Sequence, residues 1–177
     1  AEIGTVGHGL SKIPRLIAVK NRSAGSTDWQ IFTTRMTSLN EMNFNTNHAS
    51  TATDVFNDTE PTSSVFSINA SAVVNGDGNA MIAYCFHDVL GFSKFDSYEG
   101  NNNANGRFVH TGFRPALIWI KAIDATGDWY LYDNKRLGFN VDNNYLRTNQ
   151  TSAESTDDIL DIVSNGFKLR STNSEHN

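Results

Sequence analysis

The sequence has one cysteine and three prolines, its basic residues never cluster, and its apolar runs are all short. Because Cys85 is alone, it cannot form a disulfide within the chain, and its apolar surroundings favour a buried thiol over a nucleophile or metal ligand. The net charge of −5 and the scattered Lys and Arg residues argue against a nucleic-acid-binding surface. A membrane-spanning helix needs about 18 consecutive apolar residues, and no stretch of the sequence provides them. We therefore expect neither nucleic-acid binding nor membrane insertion.

Sequence motifs for catalysis and for metal binding are also missing. No G-x-S-x-G, P-loop or dinucleotide-binding pattern is present, and the five histidines do not have the spacing of metal ligands. The stretch NGDGN at 75–79 starts like a calcium-binding loop, but Ala80 and Phe86 stand where that loop requires glycine and glutamate. Loop carboxylates such as Asp96 and Asp128 would form a glycosidase pair only if they faced each other across a cleft. The sequence predicts no catalytic residue, no metal site and no cofactor, and it predicts a turn at 75–79.

The apolar residues that are present form short runs typical of β-strands. They include RLIAVK, DWQIFT, SVFSI, MIAYCFH, ALIWIK, DWYLY and GFKLR, which are rich in β-branched and aromatic residues and bordered by turn residues. Short strands joined by turn-rich loops predict an all-β protein built from β-sandwich or jelly-roll units. The exception is STDDILDIVSNG, where we predict one short helix with Asp157 and Asp158 in its first turn and Gly166 just after its end.

The strand pattern occurs twice along the chain. PRLIAVK, which begins at Pro14, shares Pro, Leu, Ile and Lys with PALIWIK, which begins at Pro115. Three further pairs follow the same order: VGHGL with VHTGF, DWQIF with DWYLY, and VFSI with GFKL. Isolated matches arise by chance, but an ordered series indicates an internal duplication with a period of about 100 residues. We predict two tandem, related β-sandwich units, residues 1–92 and residues 93–177.

The second copy lacks a counterpart of the strand MIAYCF, which closes the first copy. A sandwich without that strand would expose a sheet edge and part of its apolar core. We therefore expect either that the natural chain extends beyond both ends or that another subunit supplies the strand.

Strand alternation predicts which side chains face the core of each copy. The predicted core positions are Ile17, Val19, Trp29 and Ile31 in the first copy and Ile118, Ile120, Trp129 and Leu131 in the second. On that assignment, three aromatic residues of the second copy are not required by the core: Trp119, Tyr130 and Tyr132. Aromatic side chains with a polar group suit protein interfaces and carbohydrate stacking alike. Packing between copies or between subunits is the main interpretation, with a glycan or receptor platform and simple loop cover as alternatives. If a ligand binds, these three residues are its predicted site.

Four stretches of the chain carry a resemblance to a known family: HGLSKIPRLIAVKNR, MIAYCFHDVLGFSKFDSYEGN, FVHTGFRPALIWIK and SNGFKLRST. They resemble a duplicated β-rich domain in virion structural proteins of marine bacteriophages, often tail fibres or tail-type proteins. The resemblance implies a non-enzymatic, exposed component of the virion that self-associates, as trimeric tail fibres do, and contacts other virion proteins and the host surface. It carries no catalytic or binding residue over to this chain. A carbohydrate-binding module, a capsid decoration protein and a polysaccharide depolymerase are the alternatives.

Overall fold

The computed structural model describes residues 2–136, 140 and 143–177. The chain forms two compact units that divide after Asp88, called unit 1 and unit 2, whereas the sequence-based division was placed after residue 92. The described residues form 14 β-strands and one helical turn, so the predicted all-β class is confirmed. Each unit is sandwich-like, with two sheets and its own core, and each is described by itself.

Unit 1 contains a large and a small antiparallel sheet. Its strands are β1 (Gly4–Gly7), β2 (Leu16–Asn21), β3 (Gln30–Thr33), β4 (Asn40–Asn43), β5 (Thr51–Ala52), β6 (Val65–Ile68) and β7 (Met81–Phe86). The large sheet has the order β5-β4-β3-β2-β7, and β1 pairs with β6 in the small sheet. A helical turn, α1 (Ala72–Asn75), follows β6. The chain then reverses between Gly76 and Asn79, whose N–H donates to the Gly76 carbonyl at 3.1 Å, so a turn does lead into β7.

Unit 2 has the same layout, with its seven described strands divided differently between the two sheets. They are β8 (Phe108–His110), β9 (Leu117–Ile120), β10 (Tyr130–Asp133), β11 (Asn143–Arg147), β12 (Ser155–Asp157), β13 (Leu160–Val163) and β14 (Gly166–Leu169). The larger sheet has the order β12-β11-β10-β9, and the smaller has the order β13-β14-β8. All of these pairs are antiparallel.

The two units repeat one strand plan in the same register. In unit 1, β1 and β6 place Val6 opposite Phe66. In unit 2, β8 and β14 place Val109 opposite Phe167. The strands β9 and β10 are likewise paired in the register of β2 and β3. The repeated sequence blocks therefore occupy equivalent places in two like-shaped units.

The core of each unit lies between its two sheets. The core cluster of unit 1 consists of Ile17, Val19, Phe32, Val55, Phe56, Phe66, Ile68 and Val74. The core cluster of unit 2 consists of Ile118, Ile120, Tyr130, Tyr132, Tyr145, Ile159, Leu160, Ile162, Phe167 and Leu169. The inward-facing positions predicted for β2 and β9 are confirmed, since the Ile and Val residues concerned belong to these clusters.

The helix predicted in STDDILDIVSNG is wrong, because this stretch forms β12, a two-residue connection, β13 and the turn that leads into β14. Leu160 and Ile162 are buried at alternate positions, which is the period of a strand rather than of a helix. The Asn143 side-chain oxygen also accepts hydrogen bonds from the N–H groups of Ile159 and Leu160, at 3.0 and 2.7 Å. These bonds connect the start of β13 to the first residue of β11. The helical turn lies in unit 1, at Ala72–Asn75.

The two units differ at one sheet edge. In unit 1, β2 lies between β3 and β7. In unit 2, its counterpart β9 has β10 on one side, and no strand of the described residues pairs with the other side. The Asn134 N–H donates to the Ala116 carbonyl at 3.0 Å. Backbone groups alternate in direction along an antiparallel strand. Since the Ala116 carbonyl points towards β10, the N–H and C=O groups of Leu117 point away from it.

Candidate interaction surfaces

Trp119 lies on the outer face of the larger sheet of unit 2 and is 42% exposed. Its ring meets that of Trp129 edge-on, with 5.7 Å between the ring centroids. Its indole N–H donates to the Thr148 hydroxyl at 3.2 Å. Directly opposite Trp119 on β10 is Leu131, and directly paired residues of antiparallel strands share one face. The outer face therefore presents an aromatic ring held in place by Trp129 and Thr148.

Tyr130 and Tyr132 point to the opposite side of that sheet, into the core. They pair with the inward-facing isoleucines of β9 and are 4% and 1% exposed. The prediction that Trp129 and Leu131 form the core face of this strand is wrong. Trp129 is buried, but beside Trp119 and outside the core cluster. The three predicted ligand-binding residues consequently do not form one platform, and only Trp119 reaches the surface.

Unit 1 is built differently at the same place. Ala18 stands where Trp119 stands in unit 2, and Tyr84 of β7 lies directly opposite it. Tyr84 is 47% exposed and stacks on Trp29 with 6.0 Å between centroids. Ile31 is buried, as predicted, but on the face opposite the core cluster of unit 1, and Trp29 is half-buried on that same face. Each unit covers its outer tryptophan with one more aromatic ring, taken from β7 in unit 1 and from β9 in unit 2.

A buried group of polar side chains surrounds His176 in the core of unit 2. His176 is 3% exposed, and its Nε2 lies 2.7 Å from the hydroxyl oxygen of Tyr132. Its ring centroid is 4.1 Å from that of Tyr130. The Tyr98 hydroxyl donates to the His176 backbone carbonyl at 2.5 Å, and the Tyr130 hydroxyl donates to the Glu175 carboxylate. Nothing in the sequence patterns had marked His176 or Tyr98.

Burial keeps the His176 imidazole and the hydroxyl groups of three tyrosines neutral near pH 7. Loss of hydration lowers the pKa of His176 to about 4, although Glu175 and Asp157 attract a proton to it. Burial likewise raises the pKa of three tyrosines: Tyr98, Tyr130 and Tyr132. His176 Nδ1 is buried without a hydrogen-bond partner in the described part of the chain. The buried imidazole and tyrosine rings thus pack in the core of unit 2.

A tight turn at 89–93, here called the apolar turn, exposes two large apolar side chains. Val89 and Ser93 form an isolated antiparallel bridge across it. Gly91 has a φ of 75°, a conformation that glycine adopts without strain. Leu90 is 99% exposed and Phe92 is 79% exposed. Neighbouring apolar side chains at such exposure are typical of surfaces that contact a partner.

Across residues 2–136, 140 and 143–177, no group of three or more His, Cys, Asp and Glu side chains is placed to hold a metal ion. Over the same residues, no helix has the length and apolar character needed to cross a membrane.

Comparison with known proteins connects the chain to one family. No curated protein and no solved structure matches it. A family model described as a domain of unknown function (DUF7483) matches residues 1–177. The chain therefore belongs to the DUF7483 family.

Proposed function

We propose that this chain is a non-enzymatic structural module of a bacteriophage virion, a tail-fibre component or another exposed part of the particle. It acts by self-association and takes part in attachment to the host surface. The observation that carries the proposal is the apolar turn, where Leu90 and Phe92 are 99% and 79% exposed. Side chains of this kind are stabilised when another protein covers them. The resemblance of four sequence stretches to virion structural domains supports the same role.

Further features favour an assembly role over catalysis. The polar side chains with the largest pKa shifts are in the core of unit 2, where His176 is 3% exposed. The exposed apolar residues instead include Leu90 and Phe92 of the apolar turn and Leu117 at the start of β9, which is 56% exposed. We propose a trimer, contacts with other virion proteins and a location on the extracellular particle, all of which follow from the sequence resemblance.

Sedimentation equilibrium tests the self-association. The wild-type chain should form trimers at micromolar concentration, and the double variant Leu90→Ser/Phe92→Ser should associate at least tenfold more weakly. The matched control is Ile3→Ser/Ile13→Ser, which removes two apolar side chains that are 63% and 50% exposed elsewhere. The control should associate like the wild type. A wild-type chain that stays monomeric, or a turn variant that associates unchanged, contradicts the proposed role of the turn.

Immunogold labelling of intact phage particles tests the location. Gold at the tail supports a tail-fibre module, and gold spread over the head supports a capsid decoration protein. Particles that contain none of this chain, by labelling and by mass spectrometry of purified virions, refute the virion role.

A second candidate function is glycan binding at Trp119. It is favoured by the 42% exposure of this ring and by the neighbouring Thr148 hydroxyl, since sugars stack on aromatic faces and bond to adjacent polar groups. Trp119→Ala should abolish binding on a glycan array while the thermal melt is retained. The matched control is Tyr84→Ala, which removes an aromatic ring of 47% exposure from unit 1. Unchanged array binding by Trp119→Ala rejects this function.

A further inference from the structure

Unit 1 contains an apolar cleft of about 230 Å³ between its two sheets. Its walls come from β1, β2, β6 and β7 and from α1. The cleft is lined by Val6, Val19, Phe66, Ile68 and Val74, together with Asn75 and three residues of β7. Pockets for drug-sized ligands begin at about 300 Å³. The cleft is smaller and is suited to a single apolar or aromatic side chain.

In unit 2, a tyrosine lies on the corresponding wall. Val109 and Phe167 stand opposite each other there, as Val6 and Phe66 do in unit 1. Tyr98 and Val109 both pack against the core cluster of unit 2. The Tyr98 ring meets Phe167 edge-on, with 6.1 Å between centroids. The counterpart of the wall formed by Val6 and Phe66 is thus covered by a phenol ring.

The hydrogen bonds of the helical turn beside the cleft have a counterpart in a turn of unit 2. In unit 1, the N–H groups of Val74 and Asn75 donate to one carbonyl at 3.2 and 2.8 Å. In unit 2, the N–H groups of His176 and Asn177 donate to one carbonyl at 3.0 and 2.9 Å. Val74 is therefore the counterpart of His176, whose own carbonyl accepts the Tyr98 hydroxyl at 2.5 Å. The carbonyl of Val74 in unit 1 is therefore the equivalent of the carbonyl that accepts the tyrosine hydroxyl in unit 2.

In each unit, an asparagine ends this turn. Its side chain forms a hydrogen bond to the segment that leads into the first strand of the unit. The Asn75 side chain donates to the Glu2 carbonyl at 2.5 Å. The Asn177 side chain donates to the Asn103 carbonyl at 2.8 Å. In unit 2, Tyr98 is carried on the segment just before Asn103. The chain around Glu2 in unit 1 is therefore anchored in the same way as the segment that carries the tyrosine in unit 2.

We propose that the cleft of unit 1 binds a tyrosine side chain presented on an extended segment of a partner polypeptide. Its ring packs on Val6 and Phe66, and its hydroxyl donates to the carbonyl of Val74, as the Tyr98 hydroxyl does to that of His176. An extended polypeptide segment that carries a tyrosine therefore matches this cleft in size, in apolar lining and in the position of its carbonyl acceptor. The proposal goes beyond the virion role and does not depend on it, because it is drawn from the comparison of two units within one chain.

Methyl-detected NMR on the full chain tests this binding. The probe is a synthetic peptide with the sequence of residues 94–103, KFDSYEGNNN, and the control peptide has alanine in place of the tyrosine. The tyrosine peptide should shift the methyl signals of Val6, Val19 and Val74 in a saturable way, and the alanine peptide should bind at least tenfold more weakly. The side chain alone, as 4-methylphenol, should shift the same signals.

Two protein variants complete the test. Ala83→Trp places a large ring at the exposed rim of the cleft and should weaken the binding of the tyrosine peptide at least tenfold. Ala52→Trp makes the same change at an exposed position on β5 and should leave the binding unchanged. The proposal is overturned if neither probe shifts the three valines, if the alanine peptide binds equally well, or if Ala83→Trp binds like the wild type.

Discussion

Replacing His176 by valine tests whether a neutral, buried imidazole makes unit 2 sensitive to acid. His176 is 3% exposed and lies within hydrogen-bond distance of the Tyr132 hydroxyl. Valine is the residue found at the equivalent position of unit 1, where Val74 belongs to the core. The substitution therefore introduces a side chain that the fold already accommodates at this place. It removes one titrating group and leaves the rest of the chain unchanged.

The magnitude follows from the pKa of His176, which burial lowers from 6.5 to about 4. One pKa unit corresponds to about 1.4 kcal/mol, so the difference between the folded and unfolded chains amounts to about 3 kcal/mol. The unfolded chain takes up the proton first as the pH falls, because its histidine has the higher pKa. The stabilisation is therefore complete above pH 6.5 and is lost progressively as the pH falls to about 4. Glu175 and Asp157 oppose the shift, and Arg147 adds to it.

Urea unfolding at several pH values between 4 and 8 measures this effect. Both proteins are made in a Trp29→Phe background, so that the fluorescence comes from the two tryptophans of unit 2. The free energy of unfolding of the wild type, minus that of His176→Val, should fall by about 3 kcal/mol between pH 7 and pH 4. Subtraction cancels the carboxylates common to both proteins. His48→Val, at an exposed histidine, is the control and should follow the wild type. A difference that does not change with pH would refute a neutral imidazole in this core.

Three further substitutions test contacts within unit 2, each by urea unfolding. Asn143→Ala leaves two buried N–H groups without their acceptor and should cost about 3 kcal/mol, whereas its half-buried neighbour Asn144→Ala should cost under about 1 kcal/mol; equal costs would contradict the role of the buried amide. Gly166→Ala places a Cβ 2.0 Å from a backbone carbonyl oxygen of β8 and should cost more than about 2 kcal/mol, whereas Gly4→Ala meets nothing within 4 Å and should be tolerated. Tyr132→Phe removes the hydroxyl paired with the buried imidazole and should cost about 1 to 2 kcal/mol; an unchanged stability would show that this bond contributes nothing.

Much of the fold could be predicted from the sequence because the chain carries its strand pattern twice. Each strand could be predicted from two sequence blocks, one in each copy. In the structure, the register of β9 with β10 agrees with that of β2 with β3. Alternation also identified the core face of β2 and β9 correctly, since only one face of each strand carries Ile and Val in both copies. Comparing the two copies thus identified a core face that one strand alone would not have identified.

The core face of β10 could not be predicted because both faces of this strand carry large apolar side chains. Gln30, the counterpart of Tyr130, suggested that this position faces solvent. In the structure Gln30 is buried, and its side-chain amide lies against Glu41 and Asn43. A polar side chain in a core position forms hydrogen bonds to partners on a neighbouring strand. The sequence of one strand alone does not reveal these partners. The pairing partner on β9, rather than the composition of β10, decides the face.

The predicted helix failed because the stretch from Asp157 to Val163 fits two periodic patterns. Its aliphatic residues cluster closely enough for one turn of helix, and Leu160 and Ile162 also alternate as in a strand. Short apolar runs do not distinguish the two. The decisive contact is the side chain of Asn143, which lies on another strand. The surroundings of His176 were missed for a related reason, because valine and histidine share no pattern that would align them.

The two proposed binding sites both lie where the units differ rather than where they agree. Shared features such as the register of β1 with β6 and of β8 with β14 are explained by folding alone. Folding does not require that Trp119 replace Ala18 on the outer face, nor that the cleft beside Val6 stay open while Tyr98 covers its counterpart. Because exchanging a residue for its counterpart in the other unit respects the common fold, such exchanges at the differing positions should alter binding with little loss of stability. The same exchanges within the cores should alter stability alone, as His176→Val is expected to do.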